Sequence, residues 1–187
     1  FSGKEPVFCE AVFFCRSNSV FPVSGFSTTW MFRCFTPLNY LNQSLFIMKI
    51  AVLGTGAVGK TIGSALILLG HEVKMGSRTN GNEKAVAWVT ANGANASEGT
   101  FAEAAAFGEV IFVATKGEAT LDVLHTAGAA NLAGKVLADI SNPLDFSKGM
   151  PPSLSICNTD SLGERIQAAF PAAKVVKTLN IVNCEVM

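Results

Sequence analysis

Gly54, Gly56 and Gly59 stand at the spacing G-x-G-x-x-G, and Gly54 and Gly59 with Lys60 and Thr61 also satisfy G-x-x-x-x-G-K-T. The first pattern folds a dinucleotide pyrophosphate against the backbone of a turn. The second, the Walker A loop, holds a nucleoside triphosphate with a lysine and Mg²⁺. One implies hydride transfer and the other phosphoryl transfer. Both place free backbone N–H groups and the positive end of a helix dipole against a phosphate.

The residues after this loop separate the two readings. Glu72 to Met75 reads as a second strand, and Gly76-Ser77-Arg78-Thr79 follows it directly. A dinucleotide fold reads its ribose at this point. An NAD site carries Asp or Glu there to accept from the 2′-hydroxyl. Ser77, Arg78 and Thr79 instead offer two hydroxyls and a guanidinium, which suit a 2′-phosphate and favour NADP over NAD. The Walker reading needs an apolar strand ending in an Asp that holds Mg²⁺. Lys135 to Asp139 could serve, but the placement of Ser77 and Arg78 is then unexplained. The dinucleotide reading is preferred, with a P-loop nucleoside-triphosphate-binding protein as the alternative.

These groups must be positioned by an alternation of strands and helices. Lys49 to Leu53 is a short apolar run suited to a buried parallel strand, and Val58 to Leu69 to a covered helix ended by Gly70. A helix is expected over 82–91 and a short strand over 94–97. Thr100 caps a helix through Ala106, with Glu103 at the capping-box spacing. A strand follows over 110–114, a helix over 118–130 and a strand over 136–140. The last helix covers 161–170, ended by Pro171, and the last strand 175–179. This pattern predicts an α/β fold with right-handed crossovers and a doubly wound parallel sheet.

Ligands of such a sheet lie at the strand C-termini. That selects the glycine loop, Ser77-Arg78, Ala114-Thr115-Lys116 and the segment 140–144. Asn142-Pro143 reads equally as the floor beneath a nicotinamide or as an ordinary Asn-Pro turn. His71 is expected to interact with the carbonyls of the preceding helix, and His125 to lie on the surface or in packing. No catalytic residue is assigned, because hydride transfer to a flavin-like ring depends on position more than on a proton donor.

The stretch from Met48 onward resembles the NADPH-dependent reductases of the deazaflavin coenzyme F420 and the short bacterial NADP oxidoreductases related to them. The resemblance rests on G-T-G-A-V-G-K at 54–60, L-G-H-E-V at 69–73, G-S-R at 76–78, F-A-E-A-A-A-F-G-E-V-I at 101–111, S-N-P-L at 141–144 and K-V-V-K-T-L-N at 174–180. It implies a Rossmann NAD(P)-binding fold, NADP(H) as cofactor and direct hydride passage between nicotinamide and a flavin- or deazaflavin-like acceptor. Thr55, Gly56, Ala57 and Val58 would then contact the pyrophosphate, and Ser77, Arg78 and Lys84 the 2′-phosphate. Ala114-Thr115-Lys116 departs from the pattern, since many relatives carry a proline after the fourth strand. The family continues past the sixth strand, so the chain is expected to be cut short at Met187, with much of the substrate side beyond it. A quinone, a metal chelate or a non-catalytic NADPH-sensing module remain as other readings.

Hydrophobic residues make up 49% of the chain and charged residues 15%, with a formal net charge of zero. Nothing here attracts nucleic acid or an anionic membrane. Residues 1–47 hold nine of the 14 Phe, three of the 5 Cys (Cys9, Cys15, Cys34) and five charged residues, without helical or alternating period. They are expected to be a non-domain leader, translated from a misassigned gene start and disordered. Pro22, Ser24 and Gly25 interrupt any signal-peptide core, and no run reaches the about 18 apolar residues of a membrane span. The NADP-binding domain is expected over 48–187. Only Cys157 and Cys184 fall within it, so neither a metal nor a disulfide framework is expected. The location expected is the cytoplasm. The partner expected is a small-molecule redox substrate, with a homodimer left open.

Overall fold

Ile50 to Leu53 lose essentially all contact with water, as do Val73, Met75, Ile111, Val113 and Leu137. Strands this apolar must be covered on both faces, which is the condition for a parallel sheet wrapped by helices. The computed structural model describes residues 46–187 and shows that arrangement. The sheet strands are β1 (Lys49–Leu53), β2 (Glu72–Ser77), β3 (Ala96–Thr100), β4 (Val110–Val113), β5 (Val136–Asp139) and, after the short pair β6 (Leu144–Asp145) and β7 (Ser153–Leu154), β8 (Lys174–Lys177). The sheet order is β3-β2-β1-β4-β5-β8, parallel throughout. This is the doubly wound Rossmann topology.

Alternation along β1 sends its side chains to two cores. Ala51 and Leu53 pack with Ile111, Leu137 and Phe101, Ala104 and Ala105 of α3 (Phe101–Phe107), Leu124 of α4 (Thr120–Ala127) and Ile166 of α6 (Leu162–Ala169). Val52 faces the other way, with Val73, Met75 and Ala85 and Trp88 of α2 (Glu83–Asn92). Leu66 and Ile67 of α1 (Ala57–Leu68) flank this second core. Trp88 closes α1 on α2. A Cβ at Gly63 would lie 2.7 Å from its ring, and its indole N–H faces the Lys60 carbonyl at 3.2 Å and the Ser64 hydroxyl at 3.0 Å.

Register aligns the strand ends. Leu53 lies opposite Gly76 and Val113, Val113 opposite Asp139, and Asp139 opposite Lys177. The chain leaves β1 towards β2 and β3, then returns to start β4 on the other side. The switch point therefore lies between β1 and β4, where a crevice must open.

Several elements differ from the sequence expectation. The third strand lies at Ala96–Thr100 rather than 94–97, because the ladder pairs Val73 with Ala96 and Ser77 with Thr100. That pairing overrides the weak strand preference of Ser-Glu-Gly-Thr. The helix expected over 118–130 is broken. A 3-10 turn at Gly117–Ala119 precedes α4, and Gly128, at φ +90°, separates α4 from a single further turn, α5 (Ala129–Leu132). The last strand ends at Lys177, before Leu179 turns to positive φ. The hairpin of β6 and β7 was not expected, since strands of two residues carry no period. The capping box is present: Thr100 accepts from the Glu103 N–H at 3.3 Å, and the Glu103 carboxylate accepts from the Thr100 N–H at 2.8 Å. Those Thr100 bonds hold the Glu103 carboxyl below its ordinary value. The leader expected over 1–47 lies outside the described residues, apart from Phe46 and Ile47, which are exposed.

Candidate functional site

The three glycines do three different things. Gly54 turns the chain at φ +125°, and a Cβ there would sit 2.4 Å from the Ala114 carbonyl oxygen. Gly59 lies in the first turn of α1, where a Cβ would meet the Gly54 carbonyl oxygen at 2.3 Å. It is there so that helix and turn can touch, and it lies behind the site. Gly56 is the N-cap of α1, and nothing lies within 4 Å of where its side chain would be. No side chain caps this helix, so the first amides of a 12-residue helix face open space. The group that fits there is an anion approaching the backbone closely.

This geometry disfavours the triphosphate reading. Gly56 accepts from the Lys60 N–H at 3.0 Å, so the helix begins well before Lys60. Only Thr55 and Gly56 separate Gly54 from α1, too few for a loop that wraps a phosphate. Asp139, the residue that would hold Mg²⁺, is fully buried and already engaged. Its Oδ1 accepts from the Ser141 N–H (3.0 Å) and hydroxyl (2.6 Å), and its Oδ2 from Lys177 Nζ (2.9 Å). β4 also stands between β5 and β1.

At the end of β2 a cleft of about 420 Å³ is lined by Gly54, Thr55, Gly56, Ser77, Arg78 and Lys84, among others. Ser77 is buried and donates its hydroxyl to the Thr79 carbonyl at 2.6 Å, which shapes the turn that presents Arg78. Thr79 itself does not line the cleft and contributes only that carbonyl. The turn is pinned further by the Glu98 carboxylate, which accepts from Gly81 N–H at 3.2 Å. Asn82 caps α2 by accepting from the Lys84 and Ala85 N–H groups, and so sets Lys84 in the first helical turn. Arg78 and Lys84 make no ion pair among the described residues. No Asp or Glu lines this cleft.

A second cleft, about 770 Å³, opens at the ends of β4 and β5. It shares Gly56, Ala114, Thr115 and Lys116 with the first, so the two meet at the switch point. Ala57, Val58 and Asn142 line it, together with Leu144 and Phe146 of the hairpin. Asn142 serves as both wall and turn: its carbonyl accepts from Gly117 N–H (3.1 Å) and Leu144 N–H (2.9 Å). Pro143 is buried behind the wall rather than in it, and its carbonyl accepts from the Ser155 N–H at 2.8 Å. Asp145, on the rim, is held below the ordinary carboxylate range by the Ser147 backbone N–H. In the divergent Ala114-Thr115-Lys116 segment, Ala114 donates its N–H to the Leu53 carbonyl at 2.9 Å before the 3-10 turn begins. Sequence reasoning missed Asn82, Phe101 and the hairpin as lining residues. Asn82 carried a signal as a helix cap; the others carried none.

Neither histidine lines a cleft. The His71 backbone N–H reaches the Leu66 carbonyl of the preceding helix at 3.1 Å, as expected, and its ring accepts from the N–H of Met48, just before β1, at 3.4 Å. His125 is exposed and packs on Phe170 with ring centroids 5.0 Å apart. Among the described residues no group of three His, Cys, Asp or Glu side chains could hold a metal, and no helix is long and apolar enough to cross a membrane.

Residues 49–143 match the family described as NADP oxidoreductase, coenzyme F420-dependent. A protein of Arthrobacter sp. FB24, provisionally named an F420-dependent NADP-reductase, is 51% identical with a TM-score of 0.70, over 75% of this chain and 66% of that one. The metalloreductase STEAP3 of Rattus norvegicus is 32% identical over 136 residues, which are 72% of this chain and 25% of that protein. The reductive aminase of Aspergillus terreus, solved with NADPH and ethyl levulinate, shares the fold at 20% identity and a TM-score of 0.51, over 70% and 39% of the two chains. The chain thus spans a quarter of the rat protein and just under two thirds of the Arthrobacter one.

Proposed function

The chain belongs to the coenzyme F420-dependent NADP oxidoreductase family, and on that premise we propose that it binds NADPH across the β1–β4 switch point for direct hydride passage to a flavin- or deazaflavin-like acceptor. The observation that carries this reading is the smaller cleft, where two cations, Arg78 and Lys84, without an ion pair among the described residues, face an anion-ready helix end with no carboxylate on the wall. A 2′-phosphate fits that set, whereas a bare 2′-hydroxyl leaves the cations without a partner.

When bound, NADPH supplies a hydride from its nicotinamide ring. The chain's own part is binding and orientation. Thr55 to Val58 would take the pyrophosphate on backbone N–H groups, and Arg78 and Lys84 the 2′-phosphate, with Ser77 setting the turn. The nicotinamide end would then fall in the larger cleft beside Thr115, Lys116 and Asn142. That cleft lies within the roughly 300–1,000 Å³ typical of small-ligand sites, and Leu144 and Phe146 give it the apolar wall an acceptor ring needs. We place the protein in the cytoplasm, where Cys157 and Cys184, free among the described residues, would stay reduced.

The test is oxidation of NADPH and NADH with a 5-deazaflavin, FMN, menadione and ferric citrate as acceptors. The reading expects deazaflavin or FMN reduction with NADPH preferred by about tenfold or more, as for lost hydrogen bonds to a charged group. Turnover with ferric citrate alone would move the substrate to metal chelates. Tight NADPH binding without turnover of any acceptor would make the chain a regulatory module.

A further inference from the structure

The C-terminal ends of β4, β5 and β8 carry a chain of buried polar groups that phosphate binding does not use. Asp139 is fully buried, and a buried carboxylate costs several kcal/mol unless it is paired. Its partners run in two directions. Lys177 of β8, with a side chain 34% exposed, donates to Oδ2 at 2.9 Å and also to the Ser141 carbonyl. On the other side, the Ser141 hydroxyl donates to Oδ1 at 2.6 Å. Thr120, fully buried at the start of α4, lies 3.1 Å from Ser141 Oγ and 3.1 Å from the Lys116 carbonyl. Thr115 lies 3.0 Å from Thr120, hydroxyl to hydroxyl, and lines both clefts.

Proton counting orients this chain. An ionised carboxylate only accepts, so Ser141 donates to Asp139. Thr120 has one proton, while Ser141 Oγ, its own proton held by Asp139, and the Lys116 carbonyl can only accept from it; a Thr120 that donated to Thr115 would leave both of them facing its lone pairs, whereas donation to either lets Thr115 donate as well and makes one more bond. In the Thr115–Thr120 bond the donor must therefore be Thr115. The proton of Thr115 is spent inward, and what it turns to the cleft is a lone pair. A buried carboxylate three links away thus makes an otherwise ambivalent hydroxyl into an acceptor.

We propose that Thr120, Ser141, Asp139 and Lys177 are positioning residues that fix Thr115 as a hydrogen-bond acceptor for the carboxamide NH₂ of the nicotinamide, and so orient the ring for hydride passage. This rests on the NADPH reading above. The neighbouring loop is held by its own pair: Asn142 Nδ2 donates to the Asn180 carbonyl at 2.6 Å, and Asn180 Nδ2 to Asn142 Oδ1 at 3.2 Å. Gly117 fits against Asn142 only because it lacks a Cβ, which would lie 2.5 Å from the Asn142 carbonyl group. The segments that end β4, β5 and β8 are thereby tied together around one cleft wall. Ring placement is where such rigidity matters, since a misplacement of about 1 Å costs about a hundredfold in rate.

The test is calorimetric titration with three ligands: NADP⁺, its 3-acetylpyridine analogue, in which a methyl replaces the amide NH₂, and 2′-phospho-ADP-ribose, which has no nicotinamide. The proposal expects the protein to prefer NADP⁺ over the analogue by about three- to tenfold, the range for one neutral hydrogen bond. Thr120→Val should abolish that preference without changing 2′-phospho-ADP-ribose affinity, and Thr120→Ser should keep it. A Thr120→Val variant that still prefers NADP⁺, or a wild-type protein that binds both dinucleotides equally, overturns the proposal. If Thr120→Val does not fold, Thr120→Ala, which also removes the hydroxyl, is read by the same criteria. Failure of 2′-phospho-ADP-ribose to bind the wild-type protein would instead overturn the NADPH reading beneath it.

Discussion

The two ends of the crevice are built by different means. The end we assign to the 2′-phosphate is made almost wholly of short-range parts: a glycine turn, a helix start, a hydroxyl bonded two residues along at Thr79, and a cap that reaches Lys84 and Ala85. The end we assign to the nicotinamide is made of side chains from distant segments. Thr120 meets Ser141 across 21 residues, and Asp139 meets Lys177 and Asn142 meets Asn180 across 38. A phosphate needs charge and free N–H groups, which local backbone supplies cheaply. A ring that must sit at a fixed angle needs walls that do not move, and those are made by cross-bracing separate loops. Damage at the first end should therefore appear as lost affinity, and damage at the second as lost discrimination and lost rate.

The largest effect expected is one that removes both ends at once. Gly59→Ala forces a Cβ to within 2.3 Å of the Gly54 carbonyl oxygen, against backbone that cannot turn aside. It should cost about 3 kcal/mol of stability, the upper end of overpacking penalties, and weaken NADPH and 2′-phospho-ADP-ribose together. Gly56→Ala is its counterpart. Its Cβ meets nothing within 4 Å, so thermal unfolding should stay unchanged while NADPH affinity falls. Equal Tm losses in the two variants would show that the glycines are not divided between packing and binding.

Arg78→Ala isolates the phosphate end. NADPH should weaken by about 1.5–3 kcal/mol, the range for bonds to a charged group. NADH should bind almost as before, and the preference for NADP⁺ over its acetylpyridine analogue should survive. Calorimetry showing equal losses for NADPH and NADH would remove Arg78 from the 2′-phosphate.

The same division decides what was legible in the sequence. β1, the glycine turn, α1 and Ser77-Arg78 are readable because each is local: an apolar run, three glycines and a residue at a known offset. Thr100 with Glu103 is readable for the same reason. The doubly wound parallel sheet is readable from strand–helix alternation and crossover handedness, whereas its order, β3-β2-β1-β4-β5-β8, is not fixed by them. The polar chain from Lys177 to Thr115 is not readable, because none of its members has a neighbour in sequence that predicts its partner in space. Asp139 even pointed the wrong way, since a strand ending in Asp is what a Mg²⁺ site looks like until its carboxylate proves to be engaged by Ser141 and Lys177. The hairpin that walls the larger cleft was missed because pairing of Leu144 with Leu154 depends on the turn between them and not on any period.

Lys60 tests the doubled motif with a smaller effect. It lies inside α1, past the helix start, with its carbonyl facing the Trp88 indole N–H. Lys60→Ala should change NADPH affinity by less than about tenfold, or 1.4 kcal/mol. Mg²⁺-dependent ATP binding that this substitution abolishes would reinstate the Walker reading and take the nicotinamide from the larger cleft.

The smallest effect expected is none, from removal of residues 1–47, which we propose lie outside the NADPH-binding domain. Among the described residues Met48 is the first tied to the sheet: its carbonyl accepts from the Glu72 N–H at 3.0 Å, and its N–H meets the His71 ring at 3.4 Å. Phe46 and Ile47 before it are 85% and 64% exposed, although both are apolar, so neither contributes to a core. Among the described residues, both clefts are lined from Gly54 onward. A chain beginning at Met48 should therefore match the full chain in NADPH affinity, in its preference over the acetylpyridine analogue and in Tm. Loss of the acetylpyridine discrimination alone would mean that the preceding segment braces the nicotinamide end. Loss of Tm as well would move the domain boundary upstream of Met48.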